Sequence, residues 1–522
     1  MDGLPVKTFF RTFGYSGKPP DPNDMKKVLW LALIVVFAAC SCACKGKDSE
    51  TIDKVPDPGP VPESSSARVY VTTFDKSAEF SMYSVSTATP GASSHVVSLT
   101  GDVFQRIQGF GLAVTQAACY NLLKMTKEDR TRLLTELFSV KDGAGASLIR
   151  VCIGGSDFSM DEYTWCDEEG IEHFAVHPSE EQYLFPVLDE IYRINPDVEM
   201  IGSPWSCPRW MKMDVAGKGE RFDSWTSGRL NPQFYADYAT YFVKWIQAMQ
   251  SRGYRIWGIT LQNEPLNHGN SMSLYMPWQD QRDFLKVVGP AFEKAGLSTR
   301  IFLFDHNYNY DGIAGQQDYP LHIFADEEAS RYAAGSAWHN YGGNVSVLNT
   351  VHSRYPDKEI LFTEASIGKW NYDNNKFAGQ LAEDFEQIIL GTLSRWGCGV
   401  VLWNLMLDDE GKPYRPGGCG TCYGAVSVSH STYSYASLDR KSHWFDILHA
   451  SVAIRPGAVR LGTEGYSRGG LLYQVFRNPD GTLGAVILNK SQDADQLLFN
   501  GERHSVRVDV PAESVVSVVW KD

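Results

Sequence analysis

The chain has 522 residues and a formal charge of −14, with 62 acidic against 48 basic side chains. That length exceeds an average domain, so one large and one small domain is the economical expectation, and the acidic balance argues against a nucleic-acid partner, whose phosphates need a basic surface. Aromatic residues make up 12% of the chain, 14 of them Trp; most such rings pack in cores, but their faces are also what the C–H side of a sugar ring packs against.

Met25-Lys26-Lys27 precedes an apolar run from Val28 to Ala39, about the length of a signal-peptide core and too short to span a bilayer. The run ends at Phe37-Ala38-Ala39-Cys40, and small residues before a Cys resemble a bacterial lipobox, which makes Cys40 the expected lipid-bearing residue, with Cys42 and Cys44 close behind. Residues 1–44 are thus read as leader and lipoprotein signal, with Met25 as an alternative start. Residues 45–66, rich in Pro, Ser and charge, read as a flexible tether. The expected location is the cell envelope, lipid-anchored to a bacterial membrane and facing either the periplasm or the outside.

Residues 67–104 carry short strand-like runs such as Val69-Tyr70-Val71 and are assigned to the first part of a side β-sandwich. From Arg106 to Leu407 strand-like runs alternate with amphipathic stretches in eight rounds, which predicts an α/β fold, a closed (β/α)8 TIM barrel over residues 105–440. The predicted strands are 106–115, 147–154, 199–205, 256–264, 300–307, 335–341, 359–365 and 399–407. The clearest helix opens at Asn231-Pro232, an N-cap and first-turn pair, and repeats Phe234, Tyr238, Tyr241, Trp245 and Met249 at three- and four-residue spacing. After Lys441 alternating strands return around the turn Asn478-Pro479-Asp480-Gly481, so residues 441–522 are assigned to the rest of the sandwich, built from both ends of the chain.

Two predicted strands end in a carboxylate: the fourth in Asn263-Glu264-Pro265, the seventh in Thr363-Glu364-Ala365. A barrel gathers its chemistry at the C-terminal strand ends, and a buried strand has no ordinary use for a charge, since burying an unpaired carboxylate costs several kcal/mol or forces it to take up a proton. Each Glu alone is as well read as an ion-pair partner; together they suit glycosidic cleavage, in which one carboxyl donates a proton and the other attacks the anomeric carbon or activates water. Asn263 can bond a sugar hydroxyl, and Trp205, Tyr341 and Trp403 also end strands. His339 either joins them or braces Tyr341. Cys119, Cys152, Cys166, Cys207 and Cys398 are scattered, as buried small hydrophobes are, whereas Cys419-Gly420-Thr421-Cys422 suits a loop-bracing disulfide better than a redox pair or half a zinc site.

Further stretches resemble glycoside hydrolase family 30, the glucosylceramidase and β-1,6-glucanase family: Gly109-Phe110-Gly111 with Thr115, Arg150, Asp157-Phe158-Ser159 with Tyr163-Thr164, the run from Ser203-Pro204-Trp205 to Met211-Lys212, His339-Asn340-Tyr341, and Trp403-Asn404-Leu405. The resemblance covers nearly all of residues 68–522. It implies that Glu264 is the acid/base and Glu364 the nucleophile of a double displacement, that Asn263 holds the 2-hydroxyl, that Trp205 and Trp403 line the sugar pocket, that Tyr341 orients the nucleophile and that Arg150 supports it. Where many relatives place Asp after the first-strand Thr, as a ligand for distal hydroxyls, this chain has Gln116. The expected partner is a carbohydrate, a β-glucan or β-glucoside; no metal or organic cofactor is expected. The alternatives are a β-xylanase, β-fucosidase or galactanase on the same scaffold, and a lipid-anchored glycan binder without catalysis.

Overall fold

The computed structural model describes residues 66–522; the expectations for the leader, for Cys40 and for nearly all of the tether lie outside them. Three strands come first, β1 (Ser66–Thr73), β2 (Ser81–Ala88) and β3 (Val96–Arg106). Eight parallel strands follow: β4 (Gly109–Leu112), β5 (Leu148–Cys152), β6 (Glu199–Ser203), β7 (Arg255–Thr260), β8 (Arg300–Asn307), β9 (Gly335–His339), β10 (Glu359–Glu364) and β11 (Gly397–Leu402). Six more close the chain: β12 (Val459–Gly465), β13 (Leu471–Arg477), β14 (Thr482–Asn489), β15 (Asp495–Asn500), β16 (Ser505–Val510) and β17 (Ser514–Lys521).

The eight middle strands pair in sequence order around a TIM barrel. Main-chain bonds from β4 to β5 close it: Ser147 N–H donates to the Phe110 carbonyl at 3.0 Å and Val114 N–H to that of Arg150 at 2.8 Å. Such strands are covered on both faces, which is why they read as continuous apolar runs. Their inward residues form layers. Leu148, Ile201, Phe302, Ala337, Leu361 and Val401 pack as an apolar plug. Two residues further along their strands, on the same inward face, stand Arg150, Ser203 and Thr363, all buried. The barrel is therefore greasy below and polar above.

Helices wrap it. Asn231 caps the turn Pro232–Phe234, its side chain accepting from Gln233 N–H, and the helix Tyr235–Ser251 then buries Tyr238, Tyr241, Phe242, Trp245, Ile246 and Met249 on one face. Burial of each such ring or branched chain contributes about 1.5–3 kcal/mol, so this face, not helix propensity, holds the helix in place.

The remaining nine strands form the side β-sandwich. Hydrogen bonding runs β1-β2-β16-β15-β3-β12-β13-β14-β17 and back to β1, a closed circuit without free edges. Alternation sets its faces: in β16, Val506, Val508 and Val510 are buried while Arg507 and Asp509 are exposed. As the sequence predicts, both chain ends share this domain, and β1 pairs directly with β17. Every residue of the helix Ser442–Ala453, between barrel and sandwich, is buried. Its His449 bonds Thr72 Oγ1 of β1 at 2.8 Å and Ser517 Oγ of β17 at 2.9 Å, and burial pushes the imidazole down to about 3, which keeps it neutral.

Candidate active site

Arg150 is the centre of the polar layer. Fully buried on β5, it donates from Nη1 to Glu364 Oε2 at 2.5 Å, from Nη2 to Asn263 Oδ1 at 2.6 Å and to Asp305 Oδ2 at 2.9 Å, and from Nε to Ser203 Oγ at 3.1 Å. Asp305 is the counter-charge, and it also accepts from Thr260 and Thr363, each at 2.6 Å, and bonds His339 Nε2 at 3.0 Å. Burial works against its charge, yet Arg150, followed by His339, holds the carboxyl far below the ordinary range. Burial likewise works against a charge on His339, but Glu364 and Asp305 raise the imidazole to about 9.

The two glutamates sit above this layer. Glu364 ends β10 and accepts at Oε1 from the Tyr341 hydroxyl at 3.0 Å, opposite the Arg150 contact. Glu264 does not end a strand as predicted: the β7 ladder stops at Thr260, and Glu264 lies in the following turn at φ 45° with its N–H on the Asp305 carbonyl. Its Oε2 accepts from Asn267 at 2.7 Å and its Oε1 lies 3.3 Å from His339 Nδ1. One carboxylate oxygen of each Glu lies within 4.8 Å of the other. Burial pushes Glu364 upward against the pull of His339 and Arg150. At Glu264 burial is outweighed, first by His306 and then by His339, and the carboxyl lies below its ordinary value. Glu264, His339 and Glu364 have the spacing of a metal-binding trio, but each already has protein partners.

These carboxyls open into a cavity of about 280 Å³ whose wall includes Trp205, Asn263, Tyr341 and Trp403. A wider cleft of about 550 Å³, lined by Asp102, Glu386 and Arg460, lies away from this site and holds no facing pair of buried carboxyls. Trp205 and Trp403 stand 5.2 Å apart at 32°, with the Arg150 guanidinium 5.0 and 5.6 Å from their rings. Arg150 fixes the Asn263 amide by its oxygen, which leaves the NH2 for the cavity. The Tyr341 ring is 40% exposed towards the mouth while its hydroxyl is enclosed by Glu364 and Ser366.

Arg150, His339 and Gln116, expected among the sugar-binding residues, do not line the cavity. Arg150 and His339 lie beneath its wall, where their hydrogen-bonding atoms are taken up by Glu364, Asp305, Asn263, Ser203 and Glu264, and Arg150 holds Glu364 as the resemblance implies. His339 braces Glu264 and Asp305 rather than Tyr341. Gln116 starts the helix Gln116–Lys124 and faces away: its Nε2 donates to the Tyr163 hydroxyl at 2.9 Å and its Oε1 accepts from Met160 N–H at 2.6 Å.

Other groups went unselected. Asp157 is on the wall, in the run Asp157-Phe158-Ser159, its carboxyl pushed up to about 8 by burial and then by the Glu364 charge. Trp370, 45% exposed, stands at the rim. Cys419 and Cys422 form a disulfide, and both line the cavity, so the loop-brace reading holds. Asp305, His306 and Asn307 close β8 as Glu364 closes β10, but Asp305 reaches the site only through a bulge in that strand.

Residues 107–417 match the family described as the glycosyl hydrolase family 30 TIM-barrel domain, and residues 457–518 match its β-sandwich domain. The solved structure of the endo-β1,6-glucanase BT3312 superposes with a TM-score of 0.83 at 48% identity, covering 87% of this chain and 100% of that one. The endo-1,6-β-D-glucanase BGN16.3 of Trichoderma harzianum is 34% identical over 412 residues, 74% of this chain and 78% of its own. An endo-1,6-β-D-glucanase of Neurospora crassa is 30% identical over 456 residues, 83% of this chain and 90% of its own.

Proposed function

The chain belongs to glycosyl hydrolase family 30, and we propose that this β-glycoside hydrolase cuts β-1,6-glucan within the polymer, with Glu364 as nucleophile and Glu264 as acid/base. The observation that carries the mechanism is the carboxylate gap, within 4.8 Å between the nearest oxygens. Retention needs carboxyls about 5–5.5 Å apart, whereas inversion needs about 6.5–9.5 Å to admit a water. In the first step Glu364 bonds the anomeric carbon as Glu264 protonates the departing glycosidic oxygen. Water then enters, Glu264 takes its proton, and the hydroxyl displaces Glu364 with overall retention. Asn263 NH2 is placed to bond the 2-hydroxyl, and Tyr341 and Arg150 hold the two Glu364 oxygens through both steps.

Two facing carboxyls share a proton readily, and the productive state has it on Glu264. His306 and His339 favour charge on Glu264, so the departing oxygen draws its proton from a carboxyl whose surroundings lean towards giving it up. The linkage and the internal mode of attack are supported by the activity named for the similar glucanases and by Trp370, a rim platform beyond the reacting sugar. A 2-deoxy-2-fluoroglucoside should trap Glu364, and azide should restore turnover of activated aryl glucosides to Glu264→Ala. Labelling of any other residue sinks the assignment of roles. Internal attack predicts oligosaccharides of mixed length from β-1,6-glucan and little action on β-1,3- or β-1,4-glucans; release of glucose alone would contradict it.

We further propose that the enzyme is held in the bacterial envelope by lipid on Cys40, supported by the apolar run to Ala39 and the tether after it. Among the described residues no helix is long and apolar enough to cross a membrane. Cells fed a labelled fatty acid should label the protein, and Cys40→Ala should release it; unchanged fractionation of that variant would refute the anchor.

A further inference from the structure

A second cluster of charge is buried far along the chain from the glutamates. The helix Tyr372–Asp384 ends in Asp384, and the helix Ser442–Ala453 carries His443 and Asp446 in its first turns. His443 and Asp446 have no solvent exposure and Asp384 has 6%. One donor atom from each of the three lies within 4.8 Å of the other two. Asp384 has two helpers, Gln380 Nε2 at 2.8 Å on Oδ1 and Ser442 Oγ at 3.3 Å on Oδ2. The others have none: both carboxyl oxygens of Asp446 and both ring nitrogens of His443 lack a hydrogen-bond partner. His443 Nε2 is 3.3 Å from Asp384 Oδ2, but out of line for a hydrogen bond. Among the described residues no Lys or Arg forms an ion pair with Asp384 or Asp446.

Buried polar atoms are nearly always paired, and four orphans in one place, beside two carboxyls with no basic side chain, call for an occupant. The helices converge one nitrogen and several oxygens on a common point. Donors held roughly 2.0–2.2 Å from a zinc-sized ion stand roughly 3–4 Å apart; His443 and Asp384 already have that spacing at 3.3 Å, and the whole trio lies within 4.8 Å. We propose that Asp384, His443 and Asp446 bind one divalent transition-metal cation of the zinc and manganese class. Imidazole with carboxylate suits such ions, whereas calcium favours an all-oxygen shell of six to eight ligands. The cation would be structural. It would tie the helix that follows β10 to the helix that packs against β4, β14 and β17, the seam between barrel and sandwich.

The test uses the full-length protein purified without chelators or metal-affinity resin. Elemental analysis should find about one transition-metal ion per chain. Stripping with EDTA should lower the melting temperature by about 2–4 °C, and Zn2+ or Mn2+ should restore it. Asp446→Asn, nearly the same shape, should keep the circular dichroism spectrum and the glucosidase turnover of the parent while losing both the metal and the response to EDTA. Should that variant not fold, Ser442→Ala, which leaves the three ligands in place, must retain the metal. Wild-type protein with less than about 0.1 ion per chain, and a melting temperature unmoved by EDTA, Zn2+ or Mn2+, overturns the proposal. A response to Ca2+ alone overturns the donor assignment.

Discussion

Arg150→Met removes the one guanidinium under the catalytic pair and puts a side chain of similar length in its place. The structure says which groups suffer. Asp305 keeps two threonine hydroxyls and His339, so it remains well held. Glu364 keeps Tyr341 as its hydrogen-bond partner and the nearby His339 charge, but it loses the 2.5 Å contact that also opposes its burial. Removing one partner of a buried ion pair costs about 3–5 kcal/mol, and at about 1.36 kcal/mol per unit this corresponds to about 2–4 units of upward shift if Glu364 escapes by taking a proton. Its charge would then be scarcer than in the parent at any given pH. The acid limb of kcat/KM for an aryl β-glucoside should move up by at least about 2 units, with labelling by a fluoroglucoside slowed up to about 100-fold on the acid side of that limb. Urea unfolding should show a loss of about 3–5 kcal/mol at pH 7. The sign is fixed by Glu364, whose carboxyl already lies above its ordinary 4.5 and rises further without Arg150: the cost grows as pH climbs above that unfolded value and vanishes below it, where folded and unfolded chains are both protonated. The difference between variant and parent should therefore shrink in acid. An acid limb within about half a unit of the parent's, together with a loss under about 1 kcal/mol, would show that Arg150 does not hold the nucleophile's charge.

Asp157 is held neutral up to about 8 by burial and the Glu364 charge, so kcat/KM should fall as pH rises through that value, and Asp157→Asn should flatten the fall. The same group opposes stability as pH climbs from its unfolded 3.8 towards 8, because the unfolded chain gives up the proton first; a melting series in buffers should lose that slope in the Asn variant. Gln116→Ala should leave kcat/KM within about threefold and lower stability by about 1–2 kcal/mol, from the orphaned Tyr163 and Met160 groups. A tenfold loss of kcat/KM in this variant would return Gln116 to the sugar site. Trp370→Ala should weaken kcat/KM on β-1,6-glucan by about 2–10-fold, a stacking contribution of about 0.5–1.5 kcal/mol, and spare aryl glucosides; equal losses on both would place Trp370 at the reacting sugar. Replacing Cys419 and Cys422 by Ser frees a loop that lines the cavity, so KM for the polymer should rise about 2–10-fold. Ellman titration of the unfolded parent should find only the thiols outside this pair.

What the sequence disclosed follows from how each group is placed. The barrel was readable because parallel strands covered on both faces produce apolar runs, and the sandwich because half-covered strands alternate, as Val506 to Val510 do. Glu364 was readable because it closes such a run. Asp305 was not, although it carries the counter-charge of the site. Simple alternation from Phe302 turns Phe304 inward and Asp305 outward, but β8 bulges between Phe304 and His306 against β9, with Phe304 and Asp305 at φ 71° and 70°. The bulge reverses the pattern, sending Phe304 among Tyr310, Tyr319 and Trp338 and Asp305 to Arg150. Gln116 misled for a related reason. Its position beside Thr115 is that of a ligand, but Tyr163 and Met160 draw its amide away, and no local pattern reports contacts made 44 and 47 residues off. Asp157 escapes the strand-end rule because it follows β5 in a loop rather than closing the strand.

The pairing of β1 with β17 also imposes an order in time. Arg68 lies opposite Val519 and Thr73 opposite Ser514, so the first described strand waits for the last to be synthesised. Each barrel strand, by contrast, finds a neighbour as soon as the next one appears, and only the β4–β11 seam joins the first barrel strand to the last. A growing chain can thus complete its barrel while β1 to β3 still present open edges, and the sandwich is sealed only once β17 has been made. Chains stopped just before Ser514 should accordingly be cut by protease within β1 to β3 while the barrel resists; equal resistance throughout would mean that the side domain does not depend on its final strand.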